Sequence, residues 1–133
     1  MEWKDEYAVG IKEIDAQHKE LVNLFTKIND SIKSELPWSE IHFQIIELKT
    51  FAIFHFEFEE ALMRLFGFRE HGTHADAHKS FFDKLHAIEQ SSIRDEVKQE
   101  IVRFAFDWLF GHIATADKDY AKHILGGATI VKS

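Results

Sequence analysis

The sequence predicts an all-α fold: an up-down-up-down four-helix bundle with an N-terminal arm and a short C-terminal helix. Three observations predict it. Proline, the strongest helix breaker, occurs once in 133 residues, and long helix-compatible side chains are abundant. Apolar residues recur at three- and four-residue steps along four long segments, the seam pattern of helices packed nearly parallel. The connections between those segments are short, so successive helices run antiparallel.

The first 14 residues read as a non-helical arm carrying Trp3, Tyr7, Val9 and Ile11. The first helix is expected to start at an Asp15 cap and run to about Ser34, with Ile14, Leu21, Phe25, Ile28 and Ile32 on its stripe. Leu36-Pro37-Trp38 must stop it, and Ser39 can cap the second helix. That helix carries Ile41, Ile45, Leu48, Ala52, Leu62 and Phe66 on one stripe and ends near Gly67. Thr73, with Asp76 three residues later, resembles a capping box for the third helix, whose stripe continues through Phe81, Leu85 and Ile88. Ser92, followed by Asp95 and Glu96, opens the fourth, with Val97, Ile101, Ala105 and Trp108 facing inward. A short fifth helix covers Asp119 to Leu125, and Gly126-Gly127 ends it. With no linker, repeat or low-complexity tract, residues 1–133 are expected to form a single domain.

Composition narrows the function. A net charge of −7 without a basic cluster argues against nucleic acid. No stretch approaches the roughly 20 apolar residues of a membrane helix, since Phe51 to Phe56 is already broken by His55. The start, MEWKDEY, lacks the features of a secretory signal, so a cytoplasmic protein is expected. With no cysteine, disulfides, thiolate zinc sites and iron–sulfur clusters are excluded, and any metal must be held by His, Asp, Glu or backbone. Nine histidines are many for this length.

Polar residues interrupt the apolar stripes where core residues belong. The second helix steps through Ala52, His55, Glu59 and Leu62; the first through Ile14, His18 and Leu21. The third begins with His74 and His78 before Phe81, and the fourth places His112 after Trp108. An unpaired ionised carboxylate in such a core costs several kcal/mol even after relaxation. With antiparallel neighbours, His18, His55, Glu59, His74, His78, His112 and Asp117 all reach one end of the bundle at comparable depth. His55 with Glu59, and His74 with His78, are four apart and share a helix face. His112 and Asp117 are five apart, roughly 140° off a common direction. Either the fourth helix ends or distorts there, or Asp117 reaches inward from its edge.

Each signal also has an ordinary reading. A lone His18 is more often a hydrogen-bonded core histidine, Glu59 would be solvated if the register slipped toward Glu57 or Glu60, and an isolated HxxxH is a weak motif. Four helices each placing such a residue at one level is harder to explain without a metal. His42, His86 and His123 fall off the constellation and are expected to be solvated, and His71 is its most credible competitor. Seven donors are too many for one tetrahedral zinc and suit two six-coordinate ions sharing carboxylates. No Glu-x-x-His occurs, unlike the carboxylate-rich di-iron enzymes of four-helix bundles.

In these residues the chain resembles the hemerythrins, in particular the single-domain bacteriohemerythrins. The match runs from Trp3, Tyr7 and Val9-Gly10-Ile11 through Ile14-Asp15-Ala16-Gln17-His18 and His55-Phe56-Glu57-Phe58-Glu59-Glu60 with Met63. It continues with His74, His78 and Phe81, and closes on Trp108, His112-Ile113, Asp117 and Tyr120. The resemblance implies two non-haem iron ions with an oxo or hydroxo bridge. His74, His78 and His112 would bind one and His18 and His55 the other, with Glu59 and Asp117 bridging both. That set leaves one coordination position open, on the iron held by His18 and His55. There dioxygen would bind end-on, as hydroperoxide, within apolar walls of Leu21, Phe56, Trp108, Leu109 and Ile113. The implied function is reversible dioxygen binding, as a carrier or store and not an enzyme. The competing readings are an oxygen sensor, which would need a signalling module the chain does not show, a di-iron oxidase or peroxide-handling enzyme, and delivery of dioxygen or iron to a partner protein.

Overall fold

A computed structural model describes the backbone of residues 2–68, 71–90 and 95–132; the side chains of residues 71–74, 88–101, 114, 116, 120 and 127–132 lie outside the description. After a 3-10 turn at Asp5–Tyr7 come α1 (Lys12–Lys33), α2 (Trp38–Leu65), α3 (His71–Gln90), α4 (Asp95–His112) and α5 (Lys118–Lys132), with a π-helical turn, Ile113–Asp117, between the last two. Helix α1 packs against α2 and α4, and α3 packs against the same two, which is the square of an all-α four-helix bundle. No described helix is long and apolar enough to cross a membrane.

The connections are set by local chemistry. At the end of α1, Glu35 adopts a positive φ of 56°, while Glu35 N–H bonds to the Ile32 carbonyl and Leu36 N–H to that of Ser31. This is a Schellman closure made without glycine. The end of α2 repeats it with Gly67 at φ 69°, Gly67 N–H bonding to Arg64 and Phe68 N–H to Met63. Met63 and Phe68 are packed in one buried cluster, the apolar contact that accompanies the motif.

Several boundaries differ from expectation. Helix α1 starts at Lys12, so Asp15 lies within its first turn. Its carboxylate instead accepts hydrogen bonds from Val9 N–H (2.7 Å) and Gly10 N–H (3.2 Å), pinning the arm onto the helix. Gly10 sits at φ 93°, a conformation open to glycine and costly for other residues. The arm is not wholly non-helical, since Asp5–Tyr7 forms a turn that buries Tyr7 against Phe110. Helix α2 starts at Trp38 rather than after a Ser39 cap, with Pro37 as the capping residue. Helix α3 starts at His71, placing Thr73 inside it rather than at its cap. Ser92 lies outside the described residues. Helix α5 runs through Gly126-Gly127 to Lys132, so the glycines do not end it; a helix tolerates Gly at a cost of about 1 kcal/mol each.

The stripes hold in their centres and drift at their ends. Ile41, Ile45, Leu48 and Ala52 are buried as expected, but beyond Glu59 the inward residue is Met63, with Leu62 half-buried and Phe66 exposed. On α4 the inner face is Val102, Ala105, Phe106 and Leu109, and Trp108 sits at its edge; Val97 and Ile101 have side chains outside the description, as does Ile88. Phe81 occupies the centre of the core, its ring 5.7 Å from Phe56, 5.8 Å from Trp108 and 6.2 Å from Phe25. Phe81→Ala should therefore cost about 3–5 kcal/mol in denaturant unfolding; a loss below about 1 kcal/mol would mean this layer is not packed as described.

Candidate metal centre

Helical geometry delivers the site. His18 comes from α1, His55 and Glu59 from successive turns of α2, His78 from α3, and His112 from the last turn of α4. All are buried except His112, which is half-buried. Asp117 joins them because the chain between Ile113 and Asp117 is π-helical. With hydrogen bonds reaching five residues back, His112 and Asp117 fall on one face, which the 3.6-residue repeat forbids. Thr115 Oγ1 lies 3.1 Å from the Gly111 carbonyl and 3.3 Å from that of His112, serving acceptors where the helix changes pitch.

These side chains form two groups whose donor atoms lie within 4.8 Å of one another: His18, His55, Glu59 and Asp117, and His78, His112 and Asp117. Asp117 belongs to both. Its Oδ2 lies 3.5 Å from His18 Nε2 and its Oδ1 3.4 Å from His112 Nε2, so the two oxygens face different groups. Glu59 Oε1 touches His55 Nε2 and lies 4.0 Å from His18 Nε2. Six of the seven sequence-predicted residues are thus gathered at one end of the bundle. The seventh, His74, lies one turn before His78 on the backbone of α3, and its side chain is outside the description, as is that of His71.

The electrostatics call for a cation. His55 Nδ1 and Gln17 Oε1 are 2.7 Å apart; the amide oxygen can only accept, so Nδ1 carries a proton and, in the neutral ring, Nε2 is left with the lone pair. That lone pair meets Glu59 Oε1, also an acceptor, in a fully buried site. Among the described residues neither oxygen of Glu59 receives a hydrogen bond. Two acceptors facing each other in a dry core repel unless a positive charge lies between them. Burial alone would push the His18 pKa down, but the Asp117 carboxylate facing it at 3.5 Å and the charges of Glu59 and Asp15 outweigh that and leave it raised. The donors present therefore fit metal ions of the kind that imidazole and carboxylate bind together.

Aromatic rings fix one side of the site. Phe56 stacks on His78 with centroids 3.8 Å apart and planes 10° from parallel, and Trp108 lies parallel to His112 at 5.4 Å. The His18 and His55 rings meet edge-on at 4.7 Å. Of the expected pocket walls, Leu21, Leu109 and Ile113 are fully buried in the main core and Phe56 borders both halves, being also 5.4 Å from His55. Trp108, half-buried, has its stacking contact with His112, on the other half. His42 stacks on Trp38 rather than being fully solvated, and His123 Nε2 bonds to the Phe66 carbonyl at 2.8 Å, tying α5 to the end of α2. Sequence reasoning attached no role to Gln17, which supports His55, or to Glu60, whose Oε2 lies 3.6 Å from His78 Nδ1. Neither interrupts an apolar stripe, so periodicity could not single them out.

An antiparallel helical bundle with histidines and carboxylates clustered inside one end defines a buried cation-binding protein. The chain belongs to the hemerythrin family: the Hemerythrin HHE cation binding domain matches residues 9–124. The bacteriohemerythrin of Clostridium acetobutylicum is 33% identical over 124 residues, covering 89% of this chain and 96% of its own. That of Pseudomonas aeruginosa is 30% identical over 122 residues, covering 89% and 77%. Hemerythrin subunit alpha of Lingula anatina is 24% identical over 118 residues, covering 89% and 90%.

Proposed function

We propose that this chain binds dioxygen reversibly, as a carrier or store, at a pair of non-haem iron ions bridged by an oxo or hydroxo group. The observation that carries the reading is the division of the Asp117 carboxylate between two histidine groups, one oxygen to each. In this reading His18 and His55 would hold one ion, His74, His78 and His112 the other, and Glu59 and Asp117 would serve both. When bound, a ferrous pair supplies the two electrons that dioxygen takes up on binding and returns on release.

The protein's own part is positioning and exclusion. Gln17 fixes the His55 tautomer so that Nε2 faces the site. Phe56 and Trp108 hold the planes of His78 and His112. Leu21, Phe56, Leu109 and Ile113 leave no polar side chain of their own to carry water or protons inward. Dryness favours release of dioxygen unchanged over its loss in a protonated, reduced form.

Anaerobic iron loading followed by cycles of air and argon tests this. Two irons per chain and a visible absorption that appears in air and vanishes under argon, over repeated cycles, are expected. Steady oxygen consumption without recovery of the reduced form would replace the carrier with an oxidase.

A further inference from the structure

We propose that Glu60 and Gln17 are positioning residues that make the two halves of the centre electronically unequal, with an anion behind His78 and a neutral amide behind His55. The inference rests on the di-iron reading above and goes beyond it. In both rings Nδ1 faces the partner, Gln17 Oε1 at 2.7 Å and Glu60 Oε2 at 3.6 Å, which leaves Nε2 to meet a cation. Glu60 follows Glu59 on α2 and so points about 100° away around the helix, where it meets α3 instead of the bundle interior. The side chain of Glu60 is 22% exposed and that of His78 3%, so water screens this pair only in part. The stack on Phe56 fixes the His78 plane, and Glu60 Oε2 faces its Nδ1.

A carboxylate facing an imidazole N–H pulls the proton toward itself and makes the opposite nitrogen a stronger donor; a neutral amide oxygen does so less. The His78 side therefore favours the higher charge state of an ion, and the His55 side the lower. Glu60 acts through His78, and Gln17 through His55.

Two charge-changing substitutions in the iron-loaded full chain test this, with iron content measured first. Glu60→Gln keeps the size of the side chain and an oxygen that can face His78 Nδ1 while removing the charge. It should shift the ferric-to-ferrous ratio at fixed potential about tenfold toward ferrous, a midpoint about 59 mV higher for one electron. Gln17→Glu should move the midpoint the opposite way, and it tests the idea independently if the first variant folds poorly. A purely structural role would be rescued in Glu60→Gln, with an unchanged midpoint. Both variants holding two irons with wild-type midpoints would overturn the inference alone, whereas a wild-type chain that fails to bind two irons would remove the di-iron reading and this inference together.

Discussion

Replacing Asp117 with alanine should abolish stable iron binding at both positions, whereas His78→Ala should leave about one iron per chain. The difference follows from where the donors lie. His78 belongs to a single group, but Asp117 presents Oδ2 to His18 and Oδ1 to His112 and is common to both. Losing it removes a donor from each ion and one of the two carboxylates that offset their charge. Stability should follow the metal. An ion present at about 1,000 times its dissociation constant contributes roughly 4 kcal/mol to the folded state, and the variant forfeits that contribution. Without metal the comparison changes, because Asp117 is then a buried carboxylate whose desolvation offsets its attraction to His18. Metal-free Asp117→Ala should unfold within roughly 2 kcal/mol of metal-free wild type. Iron analysis and thermal melts with and without iron check all three statements. Both irons retained in Asp117→Ala would end the bridging assignment.

What could be read from the sequence was what helical periodicity encodes. His18, His55, Glu59 and His78 replace apolar residues on regular stripes, and each is buried among the core residues that flank it in sequence. The four long helices followed from the same repeat, and the antiparallel neighbours from the short connections between them. Legibility failed where something other than the repeat decides. Asp15 has the chemistry of a cap, but it serves the arm's N–H groups from inside the helix, a tertiary contact with no local signature. Gly126-Gly127 looks like a stop, yet α5 continues, because propensity alone does not terminate a helix. The α2 stripe shifts from Leu62 to Met63 near its end, where packing against Phe68 and Ile124 sets the register. Gln17 and Glu60 were invisible as supports because each sits beside a site residue rather than on a stripe. Asp117 was ambiguous for the clearest reason: at five residues from His112, an α-helix turns it away.

The π-helical turn resolves that ambiguity and can be tested by changing its length. A single π turn is an α-helix carrying one extra residue, whose flanking segments remain in phase. Deleting Ala114 should therefore heal the turn and leave His112 and the aspartate four apart, about 40° from a common direction in an ordinary helix. The aspartate would still face the site, α5 would keep its phase, and the deletion variant should still load iron. Inserting one alanine after Ala114 has the opposite effect. It rotates everything beyond the insertion by about 100°, carrying the Asp117 carboxylate out of both groups and the buried Ala121 and Ile124 off their contacts. That variant should stay helical by circular dichroism but bind little iron, with thermal stability no longer responding to added metal. The deletion is the more searching case, since loss of a residue beside the site would ordinarily be expected to harm it. Iron content near wild type after deletion, and near zero after insertion, is the expected pair. The reverse pattern would show that Asp117 reaches the centre by some route other than the extra residue of the π turn.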